Sequence, residues 1–173
     1  MHREPTIMKS LRRTLIAAAA LTALALTGCG SKPPQPEKPE PKPDPTVVRL
    51  ELAATTDANA DTRGRATPVV VRYYLLQTTA AFDSADFFSL FERDEALLGA
   101  AKIVREEITL KPGQSQNAEL KPQGEGKFLA VFVAYRDVNK MRWRATAAVP
   151  QNKTTSYSIL VGKDGVSIAP RAP

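Results

Sequence analysis

The chain has 173 residues, a formal net charge of +6 at pH 7, one cysteine (Cys29) and one histidine (His2). With both of these near the N-terminus, the rest of the sequence has no disulfide, no imidazole base and no Cys/His ligand set. That excludes Ser-His-Asp and Cys-His catalysis and ordinary zinc sites, and leaves only carboxylate, Lys or Tyr chemistry open.

Residues 1–28 read as a leader. Lys9, Arg12 and Arg13 form a basic start, and Leu15 to Leu26 is an apolar stretch rich in Ala and Leu. That stretch falls short of the ~20 residues a membrane-spanning helix needs and matches a signal-peptide core. It ends in Leu26-Thr27-Gly28-Cys29, with small residues before a thiol that can accept a diacylglyceryl group. Two or three acyl chains anchor stably where one does not. The sequence therefore predicts cleavage before Cys29, lipidation of Cys29 and tethering to a membrane from outside. Gly30 rather than Asp follows the cysteine, so the usual inner-membrane retention signal is missing and delivery to the outer membrane is expected. Beyond the leader lie 145 residues with 20 basic and 17 acidic side chains, a net +3, so much of the basicity belongs to the leader. This length suits one domain with a core, and a basic tract for nucleic acid is not supported.

Residues 29–45 form a lipidated, Pro-rich linker, in which 30–45 hold seven of the chain's 14 prolines with Lys and Glu between them. Such a pattern favours extended polyproline II, which at ~3.1 Å per residue lets 16 residues span roughly 50 Å. A semi-stiff stalk carrying a domain over 46–173 is the expected arrangement.

Within that domain, Val48, Leu50, Leu52 and Ala54 alternate with Arg49, Glu51 and Ala53 as in a half-buried strand. The polar loop Thr55 to Thr67 follows. Pro68 to Gln77 is then apolar on both alternate sets, as expected for a central strand. Asp83 or Ser84 is placed to cap a short helix through Phe91, and a second turn over Asp94 to Leu98 ends at Gly99, a glycine suited to a left-handed stop. Strands resume at Lys102 to Leu110, Gln114 to Leu120, Phe128 to Tyr135, Arg142 to Val149, Thr155 to Val161 and Val166 to Ala169, with a tight Lys163-Asp164-Gly165 hairpin. About eight strands with a small inserted helical element predict an all-β sandwich of two sheets.

Few patterns point to chemistry. Asp57, Asn59 and Asp61 invite a calcium reading, but Gly64 comes two places late and Pro68 stands where the bidentate Glu belongs, so no metal site is expected. Glu106 and Glu107, as strand neighbours, face opposite sides and cannot act as a pair. Trp143, between Arg142 and Arg144, reads either as a core or edge aromatic with solvent-facing arginines or as a cation-bearing contact patch. The 55–67 loop, long, rich in Asp, Asn and Arg and fixed between two strong strands, is the best binding candidate, because loops on a rigid scaffold carry most recognition.

Several segments together resemble a known family. They are Asn59 and Gly64-Arg65 leading into Pro68-Val-Val-Val-Arg72, Tyr74-Leu75-Leu76, Phe82-Asp-Ser-Ala-Asp-Phe-Phe-Ser-Leu90, Leu110-Lys-Pro-Gly113, Ala134-Tyr-Arg-Asp137 and Trp143-Arg144. The chain is similar to the outer-membrane lipoprotein of the type VI secretion system, the TssJ (SciN, VasD, Lip) family. The resemblance implies a transthyretin-like sandwich facing the periplasm, no enzyme activity and no cofactor. It also implies a partner, the periplasmic C-terminal domain of the inner-membrane protein TssM, bound mainly through the loop between the first two strands. Mapped onto this sequence, the contact residues would be Asp57, Asn59, Asp61, Arg63, Gly64 and Arg65. The alternative is a lipid-anchored carrier of a small hydrophobic ligand, which requires a solvent-open apolar cavity along the 128–135 strand. A carboxylate enzyme would require two acidic side chains converging in a cleft.

Overall fold

The computed structural model describes residues 42–172; the leader, Cys29 and the Pro-rich segment up to residue 41 lie outside the described residues. Eight strands form two four-stranded sheets: β1 (Val47–Ala54), β2 (Val69–Leu76), β3 (Lys102–Leu110), β4 (Ser115–Leu120), β5 (Phe128–Ala134), β6 (Arg144–Ala148), β7 (Thr154–Gly162) and β8 (Gly165–Arg171). One sheet has the order β4-β1-β7-β8 and the other β3-β2-β5-β6. All named pairings are antiparallel except β1 with β7, where Val47 lies opposite Thr154 and Ala54 opposite Val161. The all-β two-sheet sandwich and its helical insert are as expected from the sequence.

The core follows from strand alternation. Val48, Leu50, Leu52 and Ala54 of β1 and Tyr157, Ile159 and Val161 of β7 point at Val69, Val71, Tyr73 and Leu75 of β2 and Leu129, Val131 and Val133 of β5. The second apolar set of β2 and β5 has its own cover. Tyr74, Leu76, Ala130 and Phe132 pack beneath the helical insert, against Phe82, Leu90 and Leu98. Both alternate sets of these strands are apolar because the sheet has core on both faces. Fully burying one side chain such as Leu90 (0% exposed) stabilises by about 2 kcal/mol.

The insert consists of α1 (Ala80–Ser84), α2 (Phe87–Leu98) and a 3-10 turn over Gly99–Ala101. Neither Asp83 nor Ser84 caps the main helix. Asp86 does: its carboxylate accepts from the Ser89 amide at 3.0 Å and from Ser89 Oγ at 2.6 Å, so the chain breaks between the two helices there. The expected second turn is the continuation of the same helix across a kink at Arg93 (φ −137°, ψ 28°). Gly99 stops it with positive φ (46°), but ψ is −131°, not the left-handed helical value.

An ionic cluster seats α2 on the sheet. Asp94, 5% exposed, accepts from Tyr74 Oη at 2.7 Å and Arg105 Nε at 2.8 Å, with Arg72 Nη1 3.6 Å away. Arg72 also donates to the Glu107 carboxylate (2.6 Å) and to the Phe91 carbonyl (2.8 Å). Register explains the gathering, since Arg72 faces Glu107 and Tyr74 faces Arg105 across the β2–β3 pair. Burial pushes the Asp94 carboxyl up, but the Arg105 and Tyr74 hydrogen bonds and the two arginine charges outweigh it and hold the group below the ordinary carboxylate range.

Trp143 is a partly buried edge aromatic, edge-on to Phe87 (5.4 Å) and Phe132 (5.7 Å). Of the arginines beside it, Arg142 is exposed as expected and Arg144 is half-buried, and both make hydrogen bonds to backbone carbonyls. Arg144 lies over the indole and donates from Nη1 to the Phe82 and Ala85 carbonyls at 2.9 and 2.7 Å, closing the end of α1. Arg142 donates from Nε to the Val166 carbonyl at 3.1 Å. Carbonyls left open by a five-residue helix recruit the cation, which no spacing rule announces.

Candidate functional site

The chain enters β1 at Val47 and leaves it at Ala54, so the 55–67 loop sits at the end of the sandwich opposite the start of β1. Eight strand residues place it about 26 Å from the start of β1. Three other connections meet at this end: the β3–β4 turn, the β5–β6 loop and the β7–β8 hairpin.

The loop is ordered by its own hydrogen bonds. The Thr67 amide donates to the Ala58 carbonyl (3.3 Å), the Asp61 amide to the Arg65 carbonyl (2.8 Å), and the Gly64 amide to the Asp61 carbonyl (2.9 Å). Ala58 is completely buried and plugs the loop into the core. On one side the Gly113 amide donates to the Ala54 and Thr55 carbonyls, tying the loop's base to the β3–β4 turn. On the other, Asn59 bridges to the β5–β6 loop.

Asn59 is 5% exposed and has φ +50°. Its Nδ2 donates to Thr67 Oγ1 (3.0 Å) and the Pro68 carbonyl (2.9 Å), and its Oδ1 accepts from the Arg136 amide (2.9 Å). Thr67 Oγ1 returns a bond to the Asn59 carbonyl (2.7 Å) and accepts from Arg136 Nε (3.1 Å). Asparagine suits the place because it tolerates the left-handed region and offers two donors and an acceptor at once.

The candidate contact residues therefore divide. Asp57, Arg63, Gly64 and Arg65 are exposed, Asp61 is half-buried, and Asn59 is buried. Asp61 Oδ1 accepts from the Arg63 and Arg65 amides, both at 2.9 Å, and Oδ2 accepts from Arg65 Nε at 2.9 Å. These bonds, the Arg65 amide foremost, hold its carboxyl below the ordinary range. Gly64, at φ +76°, makes the tight reversal these bonds require. Asp57 accepts instead from Thr55 Oγ1 at 2.6 Å. Asp57, Asn59 and Asp61 thus look to three different partners. Among the described residues no group of three His, Cys, Asp or Glu side chains is placed to hold a metal ion.

Sequence reasoning missed the neighbour of this loop. Between Ala60, Asp61 and Thr62 on one side and Arg136, Asp137, Val138, Asn139 and Lys140 on the other runs an open groove of about 600 Å³. The β5–β6 segment that forms its far wall is as polar as the first loop, and that was the available signal. Along the 128–135 strand, by contrast, Leu129, Val131 and Val133 are fully buried against the opposite sheet, so solvent does not reach the inter-sheet face a hydrophobic carrier would need.

The class of protein that the fold defines is a filled all-β sandwich with hydrogen-bonded, charged loops gathered at one end. Comparison with known proteins gives the family. The sequence model described as type VI secretion lipoprotein (VasD, EvfM, TssJ) matches residues 46–164, and the chain belongs to that family, whose members are structural components of the secretion system and not enzymes. The crystal structure of the type VI secretion lipoprotein TssJ1 from Pseudomonas aeruginosa matches with a TM-score of 0.72 and 30% identity, over 75% of this chain and 98% of that one. A chain of a type VI membrane complex matches with a TM-score of 0.63 and 26% identity, over 73% of this chain and all of that one. A chain from a structure described as the TssM C-terminal domain of EAEC matches at 0.59 and 24% identity, over 73% and 99%, which shows the shared fold alone. No curated protein sequence matches.

Proposed function

We propose that this lipoprotein is lipidated on Cys29, carried to the outer membrane, and anchors the trans-envelope complex of a type VI secretion system by binding the periplasmic C-terminal domain of TssM. In this reading residues 1–28 are removed, 29–45 form the stalk, and 46–173 form the binding domain. The observation that carries it is the placement of the 55–67 loop. It projects from the C-terminal end of β1, opposite the end at which the chain enters the strand at Val47, and it is held rigid by Ala58, Asn59 and the β3–β4 turn. Pre-ordering matters because a loop already fixed loses little entropy on binding. Asp57, Arg63, Gly64 and Arg65 supply the contact surface, while Asn59 and Asp61 shape it. The likeness to a chain of a type VI membrane complex supports the same assembly.

The test is co-purification of the full-length protein, in detergent, with the periplasmic region of the TssM encoded alongside it. A stable complex is expected, and replacing 57–65 with Gly and Ser abolishes it. Absence of any complex at micromolar concentration sinks the proposal.

A further inference from the structure

The first loop does not stand alone. Asn59 and Thr67 fasten it to Arg136, and the β5–β6 loop is fastened in turn to the β7–β8 hairpin: the Arg142 amide donates to the Asp164 carbonyl (3.3 Å), and the Val166 amide to the Arg142 carbonyl (2.8 Å). At Gly165 the two chains are so close that a Cβ would lie 2.6 Å from Arg142 Cβ and 2.7 Å from its carbonyl oxygen. Residues 60–62 and 136–140 are therefore the two walls of one pre-formed groove.

The charges of that groove are unevenly used. Both carboxylates lining it are already paired, Asp61 with Arg65 at 2.9 Å and Asp137 with Lys140 at 3.1 Å. Arg136 also lines it and Arg63 follows Thr62 directly in the chain; both are exposed, and among the described residues neither guanidinium forms a salt bridge, although the Arg136 charge is near enough to Asp61 to help hold that carboxyl down. With Asp61 and Asp137 each already salt-bridged, the exposed Arg63 and Arg136 leave the rim of the groove with a surplus of positive charge that suits carboxylates from outside.

Resting on the TssM reading above, we infer that the partner places an acidic segment into the groove between the first loop and the β5–β6 loop, with Arg63 and Arg136 receiving its carboxylates. The binding surface is then composite, and the β5–β6 loop contributes contacts as well as support. Rim charges of this kind act on association rate and salt dependence as well as on affinity.

The experiment measures Kd and its salt dependence by biolayer interferometry, with full-length protein in detergent against the periplasmic region of TssM. It compares the unsubstituted chain with Arg63→Ala, Arg136→Ala, the double variant, and Arg93→Ala on the exposed face of α2 as control. Each groove variant is expected to weaken binding about tenfold, the double variant more, with a shallower dependence on salt, and the control to leave binding unchanged. Thermal melts accompany each variant. Arg63 already belongs to the contact surface of the first loop, so Arg136 is the discriminating position, and Arg136→Gln, which removes the charge but keeps a donor for Thr67, tests the groove apart from any loosening of the loop. Unchanged Kd and salt slope for the Arg136 variants, with binding still lost when 57–65 is replaced, overturns the acidic-groove inference and leaves the TssM reading intact. No binding by the unsubstituted chain overturns both.

Discussion

Asn59 offers a quantitative test of how the loop is held. Asn59→Ala removes three hydrogen bonds at a site 5% exposed. At about 1 kcal/mol net for each, that is about 3 kcal/mol. The backbone adds a separate cost. At φ +50°, a residue with a Cβ but no compensating side chain loses about 1 kcal/mol more. Asn59→Gly loses the same hydrogen bonds but escapes the steric cost, so it should be about 1 kcal/mol less damaging than Ala despite its more flexible unfolded chain. Urea denaturation of residues 42–173 measures the difference, and the larger loss corresponds to a fall in Tm of roughly 15 °C for a domain of this size. Equal midpoints for the Ala and Gly variants would refute the backbone part of the reasoning. Wild-type midpoints for both would show that this side chain does not hold the loop.

Asp94→Asn removes the more buried of the two anions that Arg72 and Arg105 share, leaving only Glu107, and should cost about 3 kcal/mol in urea unfolding. Because the folded Asp94 carboxyl titrates below its unfolded value, its stabilisation is complete above about pH 4 and fades as pH falls through the lower folded value. The Asn variant should lack that part of the acid sensitivity, and parallel pH–stability curves would contradict the assignment. Gly165→Ala meets Arg142 backbone atoms at 2.7 and 2.8 Å and should lose more than about 2 kcal/mol, whereas Gly64→Ala has open space and should lose only about 1 kcal/mol from its φ. Gly165 also has a positive φ (+136°), so the excess loss there in thermal midpoint measures the close contact together with its more demanding backbone; equal losses would contradict both. Cys29→Ser should leave TssM binding in detergent unchanged yet release the protein from the membrane fraction; persistence in that fraction would argue against lipid anchoring at this residue.

The sheet framework was legible because its signals are local. Alternation marks β1, double-sided apolar runs mark β2 and β5, and Asp164-Gly165 marks the last hairpin. The helical cap was misplaced because Asp83, Ser84 and Asp86 all offer capping oxygens, and which one acts depends on where Phe87 and Leu90 meet the sheet. The polar 55–67 loop lies between β1 and β2 as its composition indicated, but residue types alone did not separate its inward members from its outward ones. Asn59 looks as exposed in sequence as Asp57, yet its side chain is consumed by Arg136, a residue 77 positions away. Non-local pairing also hid the Arg72–Asp94–Arg105 cluster, which forms only once register and the α2 kink bring three separate segments together. Arg142 and Arg144 are further cases, since their carbonyl acceptors lie on elements remote in sequence.

The proposed contact of the 55–67 and β5–β6 loops with TssM is tested most directly by site-specific photo-crosslinking in cells. A photo-reactive amino acid in place of Thr62 or Asn139, on opposite walls of the groove, should capture TssM. The same probe in place of Ser158, near the middle of β7 in the other sheet, should not. Capture of TssM from position 158 with none from 62 or 139 would contradict the account.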